Sequence, residues 1–129
     1  MKLLVILVTA FTLFACTGQS QYEDELAQKG QWEYLGLKDG ESGRIVRNQS
    51  ELELLNSLSE ADIEKYMLGY QKGIEDYCLP YNTYKHGKNG QQYTGQCLNT
   101  ANERLAVEGW EVGYKEYVAG QDLLWLNSE

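Results

Sequence analysis

Residues 66–78 read YMLGYQKGIEDYC, a run with helical spacing that carries Gly69 and Gly73 in its interior. Each glycine costs a helix interior about 0.8–1.0 kcal/mol relative to alanine. A chain that keeps both, four residues apart, needs something to come close to that face. Related runs stand at 110–120 (WEVGYKEYVAG) and 32–43 (WEYLGLKDGESG). Small residues at this spacing let a second backbone or a ring approach closely, and that steric rule does not depend on solvent. The chain is thereby confined to folds in which helices pack at short range.

At about 100° per residue, Ile63, Met67, Tyr70, Ile74 and Tyr77 form one stripe that is expected to face the core. Gly69 and Gly73 lie on its shoulder beside Tyr66. In the last helix Leu105 and Val112 form one apolar patch and Trp110, Tyr114 and Tyr117 another, with Ala106, Gly109, Gly113 and Gly120 between them. A helix apolar over so much of its circumference is expected to be nearly central. Gly36, Gly40 and Gly43 share a side with Trp32. Two uses of these strips follow. Tyrosines of one helix cover the glycines of another inside the domain, or a strip stays open as a shallow aromatic groove for a sugar or peptide, for which ten tyrosines and three tryptophans are suited. The residues singled out for such a packing or ligand surface are Trp32, Asp39, Tyr66, Gly69, Gly73, Tyr93, Trp110 and Gly113.

The first residues, MKLLVILVTAFTLFACTG, place one lysine before a short apolar run. The run falls short of the roughly 17–25 residues that span a bilayer and has the layout of an export signal. Leu13-Phe14-Ala15-Cys16 is similar to a bacterial lipobox, with Phe14 departing from the usual small residue. The expectation is a signal peptide over 1–15, lipid on Cys16, a polar tether over 16–22 and a single helical domain over 23–129. The alternative is ordinary cleavage to a soluble periplasmic or secreted protein. Thr17 carries no inner-membrane retention signal, so in a Gram-negative cell the expected address is the periplasmic face of the outer membrane.

A formal charge of −8 argues against nucleic acid, whose binders are basic, and against electrostatic adhesion to anionic lipid. With Cys16 lipidated, Cys78 and Cys97 remain, and an even pair in an oxidising compartment reads as a disulfide. A zinc site or a thiol nucleophile is the competing reading. The single histidine, His86, and the absence of a CxxC spacing leave a zinc site without evident ligands, and neither a metal nor a cofactor is expected.

Along the domain, charged and apolar blocks predict a helix from Glu23 to Lys38 that ends at Asp39-Gly40. A loop follows over 41–50, then one or two helical turns over 51–58. Ser59 with Asp62 approximates a capping box ahead of a helix reaching Tyr77 or Cys78. Pro80 breaks it, and residues 81–96, rich in Gly, Asn, Gln and Tyr, predict a loop with a hairpin at Lys88-Asn89-Gly90. Thr100 and Glu103 cap a last helix over Ala101–Ala119, with Gly120 as its stop and an apolar tail over 121–129 folded back on the core. The expected architecture is a small all-α, three-helix domain with close glycine-mediated packing, one Gly/Asn/Tyr-rich loop and one disulfide.

Three motifs, W32-x3-G36-x2-D39-G40-x2-G43, Y66-x2-G69-x3-G73-x3-Y77-C78 and G87-x2-G90-x2-Y93-x-G95-x-C97, resemble a family of bacterial lipoproteins, domain-of-unknown-function family 2799, over about residues 31–120. The resemblance implies an envelope lipoprotein with a paired cysteine and brings no catalytic residues. Three functions are weighed. The first is a non-enzymatic envelope lipoprotein that binds an envelope protein or cell-wall glycan. The second is a cell-wall hydrolase, which needs paired carboxylates or a nucleophile with a base. Asp39 is its best candidate against a solvated Asp-Gly turn, and His86 a candidate base against a solvated loop histidine. The third is a periplasmic inhibitor of a basic enzyme.

Overall fold

The structure, a computed structural model, describes residues 17–55 and 60–126. The signal segment, Cys16 and the Ser59 cap lie outside the described residues. Six helices follow one another: α1 (Thr17–Gln28), α2 (Trp32–Glu41), α3 (Gln49–Glu53), α4 (Ile63–Tyr77), α5 (Pro80–Lys88) and α6 (Glu103–Leu126). There is no strand among the described residues. The all-α class is as expected, and the described residues form six helices where three were expected.

Local chemistry accounts for each difference. The continuous helix expected from Glu23 breaks at Gly30, whose φ of +67° closes α1, and α1 itself takes in residues assigned to the tether. α3 starts inside the expected 41–50 loop because Asn48 and Glu51 form a capping box: the Asn48 side chain accepts from the Glu51 amide at 3.0 Å and the Glu51 carboxylate from the Asn48 amide at 2.7 Å. Asp62 caps α4 by accepting from the Lys65 amide. Pro80 ends α4 but also opens α5, since proline at the first helical position gives up an N–H that has no helical partner. The expected hairpin is therefore the end of a helix. α6 runs through Gly120 to Leu126, and its Leu123 and Leu124 are exposed rather than folded back.

α2 packs on α4, and α5 on α6. In both pairs the glycines admit backbone. A Cβ on Gly69 would lie 2.8 Å from the Leu37 nitrogen and closer still to the Glu33 carbonyl oxygen, and one on Gly73 would lie 2.7 Å from the Glu41 nitrogen. Gly36 and Gly40 reciprocate against Tyr66, Tyr70 and Ile74. In the second pair Gly109 meets the Pro80 carbonyl, Gly113 the Tyr84 carbonyl, and Gly87 the Trp110 carbonyl. Sequence numbers rise together across each contact, so the paired helices run parallel.

The two pairs are copies of one unit. α2 and α5 end alike: Gly43 and Gly90 take φ of +69° and +79°, and the next amide, of Arg44 or Gln91, donates at 3.0 Å to the carbonyl of Asp39 or His86. This is the Schellman closure that only glycine adopts cheaply. The Tyr77 ring lies against the Gly43 Cα and the Tyr117 ring against that of Gly90. The Tyr70 hydroxyl donates to the Arg44 carbonyl at 2.8 Å, and the Trp110 indole N–H donates to the Gln91 carbonyl at 2.7 Å. Lys38-Asp39-Gly40-x2-Gly43 thus corresponds to Lys85-His86-Gly87-x2-Gly90, and Gly69-Tyr70-x2-Gly73-x3-Tyr77 to Gly109-Trp110-x2-Gly113-x3-Tyr117.

Several contacts join the units. The Tyr77 ring stacks on His86 with centroids 4.4 Å apart. The Asn82 amide donates to the Asp76 carbonyl. Cys78, directly after α4, is bonded to Cys97 in the loop before α6. Both cysteines are fully buried among Ile74, Tyr77 and Ala106. In the chain-entropy account a crosslink of this separation contributes about 3 kcal/mol.

The stripe assigned to the core holds at Ile74 and Tyr77, with Ile63 and Tyr70 half-buried. Met67 is exposed instead, because the close approach of α2 turns the glycine shoulder inward and swings Met67 out. α6 is likewise peripheral: Leu105 and Val112 are exposed, since one helix, α5, covers only its glycine side.

Candidate functional site

Asp39 sits in the last turn of α2, next to Gly40, which packs on the α4 backbone at Tyr70 and Ile74. Its carboxylate is 4% exposed, so the solvated turn residue expected from Asp-Gly is a buried anion. Tyr66, fully buried on α4, donates its hydroxyl to Oδ2 at 2.9 Å. Arg47 reaches in from the segment after α2 and donates Nε to Oδ2 at 2.7 Å and Nη2 to Oδ1 at 3.2 Å. Arg44 Nε lies 3.3 Å from Oδ1. Glu23 of α1 completes the cluster, accepting from Arg47 at 2.7 Å and from Arg44 at 3.0 Å. Two carboxylates and two guanidiniums therefore neutralise one another.

The electrostatics follow from burial. Burial holds the Tyr66 hydroxyl well above its ordinary pKa, and the Asp39 charge adds to this. Burial alone would weaken the Arg47 charge, but hydrogen bonds to Asp39 and Glu23 outweigh it and leave that guanidinium more basic than usual. Tyr70 is raised by burial and by the Asp39 charge. These shifts keep the tyrosines neutral donors and Arg47 cationic. A general base needs a free lone pair within reach of substrate, and the Asp39 oxygens already accept from Tyr66 and Arg47 and lie within ion-pair distance of Arg44. The cluster fixes α1, α2, α4 and the 44–47 segment to one another. A cleft of about 460 Å³ opens beside it between α1 and α2, lined by Tyr22, Leu26, Leu35, Lys38, Ser42 and Arg44 among others.

The other residues singled out from sequence do not share a cleft. Trp32 is 3% exposed and lies with Leu26, Leu35, Leu52 and Tyr66 in the core of the first unit. Gly69, Gly73 and Gly113 are filled by backbone, so neighbouring main chain and not tyrosine rings occupies their strips. Tyr93 and Trp110 belong to the second unit, in a ladder of neighbouring rings that continues through Tyr114 to Tyr117. The Tyr93 hydroxyl is buried without a hydrogen-bond partner. His86, expected in a loop, is on α5 and pairs Nδ1 with the Gln91 side chain. Among the described residues no group of His, Cys, Asp and Glu could hold a metal ion, and no helix is long and apolar enough to cross a membrane.

Sequence reasoning missed Glu23, Arg44 and Arg47. The available signal was two arginines three residues apart, Arg44 and Arg47, in a strongly acidic chain just beyond an Asp-Gly. A second surface was also missed. Where the units meet, Ile45, Val46, Tyr70, Ile74, Thr94 and Leu98 line much of a groove of about 280 Å³. Ile45 and Leu98 are 64% and 61% exposed there.

The family model described as Protein of unknown function (DUF2799) matches residues 31–120. The chain belongs to the DUF2799 family. No curated protein and no solved structure matches it. The match opens beside Trp32 and closes at Gly120, so it takes in both glycine-packed units of this DUF2799 chain together with Asp39, Arg44, Arg47 and the disulfide, and leaves α1 with Glu23 outside.

Proposed function

We propose that this DUF2799 protein is a non-enzymatic lipoprotein of the cell envelope, anchored through Cys16 at the periplasmic face of the outer membrane, that binds another envelope component. The observation that carries the binding role is the groove where the two units meet. Contiguous exposed aliphatic surface on a small domain marks interaction sites, and Ile45, Val46 and Leu98 supply it beside a loop held by the Cys78–Cys97 bond. The disulfide and the layout of the first residues support export. The engagement of Asp39 by Tyr66, Arg44 and Arg47 favours binding over hydrolysis, and inhibition of a basic enzyme would be one form of such binding.

The test is made in intact bacterial cells with a photoreactive residue at Leu98 and an alkyne fatty acid in the medium. The wild-type chain is expected to take up the lipid label and fractionate with the outer membrane, and Cys16→Ala to do neither. Irradiation is expected to give a discrete adduct to a protein or to cell-wall glycan. An unlabelled wild-type chain overturns the anchor, and adducts to lipid and itself alone overturn the binding role.

A further inference from the structure

Residues 17–22 were expected to form a tether, and they are helix. α1 begins at Thr17, the residue that follows Cys16, and its second half is keyed into the first unit. Leu26 and Ala27 are buried with Trp32 and Leu35, and Glu23 holds both Arg44 and Arg47. α1 runs antiparallel to α2: Tyr22 shares a cleft with Lys38 and Glu41, while further along Leu26 packs with Leu35. Its start therefore lies at the end of the unit where α2 closes on Gly43. There Gly18, Ser20 and Gln21 are exposed, and nothing lies within 4 Å of a Cβ on Gly18. The first turns of α1 stand out from the body as a short helical stalk.

The aliphatic groove lies at this same end. α4 runs parallel to α2, so Ile74 and Cys78 share it, and the bond from Cys78 to Cys97 brings Leu98 alongside. Ile45 follows Arg44, the ion-pair partner of Glu23. The groove thus begins one ion pair and one residue away from α1. Thr17 stands about 9 Å from Glu23 along the helix axis, at about 1.5 Å per residue. With Cys16 acylated, Thr17 enters the headgroup layer, which is about 5–7 Å thick in each leaflet. The stalk lifts the groove clear of the hydrocarbon, and because it is helix and not coil it gives the domain no slack to travel farther.

We propose that the groove between Ile45, Val46 and Leu98 receives an aliphatic segment at the periplasmic rim of a protein embedded in the same membrane. The proposal rests on the anchor and the binding role argued above and names the partner. The groove's chemistry selects protein over glycan. Its walls are aliphatic, and its polar side chains are turned to their own loop: Gln96 accepts from the Thr94 amide and donates to the Gln92 carbonyl, and Thr100 donates to the Cys97 carbonyl. The neighbouring Arg44 and Arg47 are held by Glu23 and Asp39. A saccharide would find few free hydrogen-bonding groups there, whereas aliphatic side chains lose nothing by entering. The short, stiff stalk selects a partner in the bilayer over one in the cell wall or free in the periplasm.

The test changes the height of the groove in the full-length chain in cells, with the photoreactive residue at Leu98. An insert between Gly18 and Gln19 leaves Thr17 next to Cys16. A helical insert of EAAAK type, about 18 residues and five turns long, raises the body by about 27 Å. A Gly-Ser insert of equal length lets the body return to the membrane. Both chains are expected to keep the wild-type lipid label and melting temperature. The Leu98 adduct of the parent is expected to be a membrane-spanning protein by mass spectrometry. Its yield is expected to fall about tenfold or more with the helical insert, since a partner out of reach has an effective concentration near zero, and to persist with the Gly-Ser insert. An adduct unchanged by the helical insert, lost equally with both inserts, sensitive to lysozyme, or formed with a soluble protein overturns this proposal and leaves the binding role standing. A parent chain without lipid label, or with adducts to lipid and itself alone, fails at the earlier reading instead.

Discussion

Gly69→Ala is expected to destabilise the domain by about 3 kcal/mol or more, the upper end of overpacking costs. An added methyl would meet the Glu33 carbonyl and the Leu37 nitrogen, which are main chain and cannot rotate away as a side chain would. α2 and α4 must separate along their whole contact, which also strains the Asp39 cluster at its end. Gly120→Ala is the internal control. Nothing lies within 4 Å of a Cβ at Gly120, so that change is expected to stabilise α6 by about 0.8–1.0 kcal/mol from helix propensity alone. Denaturant titration of both variants measures the difference. Equal effects would mean that the glycines are tolerated defects.

Asp39→Asn is expected to cost about 3–5 kcal/mol, the range for removing one partner of a buried ion pair. Arg47, 11% exposed at its side chain, would keep its charge with only Glu23 to meet it, and the Tyr66 hydroxyl would face an amide that must choose between donating and accepting. At about 4–8 °C per kcal/mol for a domain of this size, the melting temperature falls by well over 10 °C. Asp39→Leu combined with Arg47→Met is expected to recover much of that loss, since replacing a whole buried pair by apolar groups is often neutral. A melting temperature unchanged in Asp39→Asn would show that the cluster is solvated and does not join the elements.

The helices around glycines were legible from the sequence because 3.6-residue spacing is a local signal, and the disulfide because counting suffices. The pairing of Gly36 and Gly40 with Gly69 and Gly73 was not, since nothing local distinguishes a glycine strip that receives a ring from one that receives a backbone. α5 was hidden for a related reason. Its composition, PYNTYKHGK, is that of a loop by propensity, and it is helical because Thr83 fits against Gly109 of α6 and Gly87 against the Trp110 and Tyr114 backbone. The internal repeat was obscured because the shared positions are mostly glycines while the cores diverged: Tyr66 corresponds to Ala106, Asp39 to His86 and Arg44 to Gln91. Asp39 drew notice from its glycine neighbours, but its partners are Glu23, Arg44, Arg47 and Tyr66. Only tertiary folding brings these together, so a carboxylate read as a solvated turn or a base is an anchor point.

The central claim, that two copies of one unit each pack a pair of parallel helices backbone to backbone, has a direct measurement. Nuclear Overhauser contacts between α-protons across the helix pairs report the register. The account predicts cross-peaks from the Gly69 α-protons to residues around Glu33 and from Gly73 to residues around Leu37. The matching set runs from Gly109 to the region of Pro80 and from Gly113 to that of Tyr84. Cross-peaks in the reversed order, Gly69 to residues near Glu41 and Gly73 to residues near Glu33, or their absence from either unit, would contradict it.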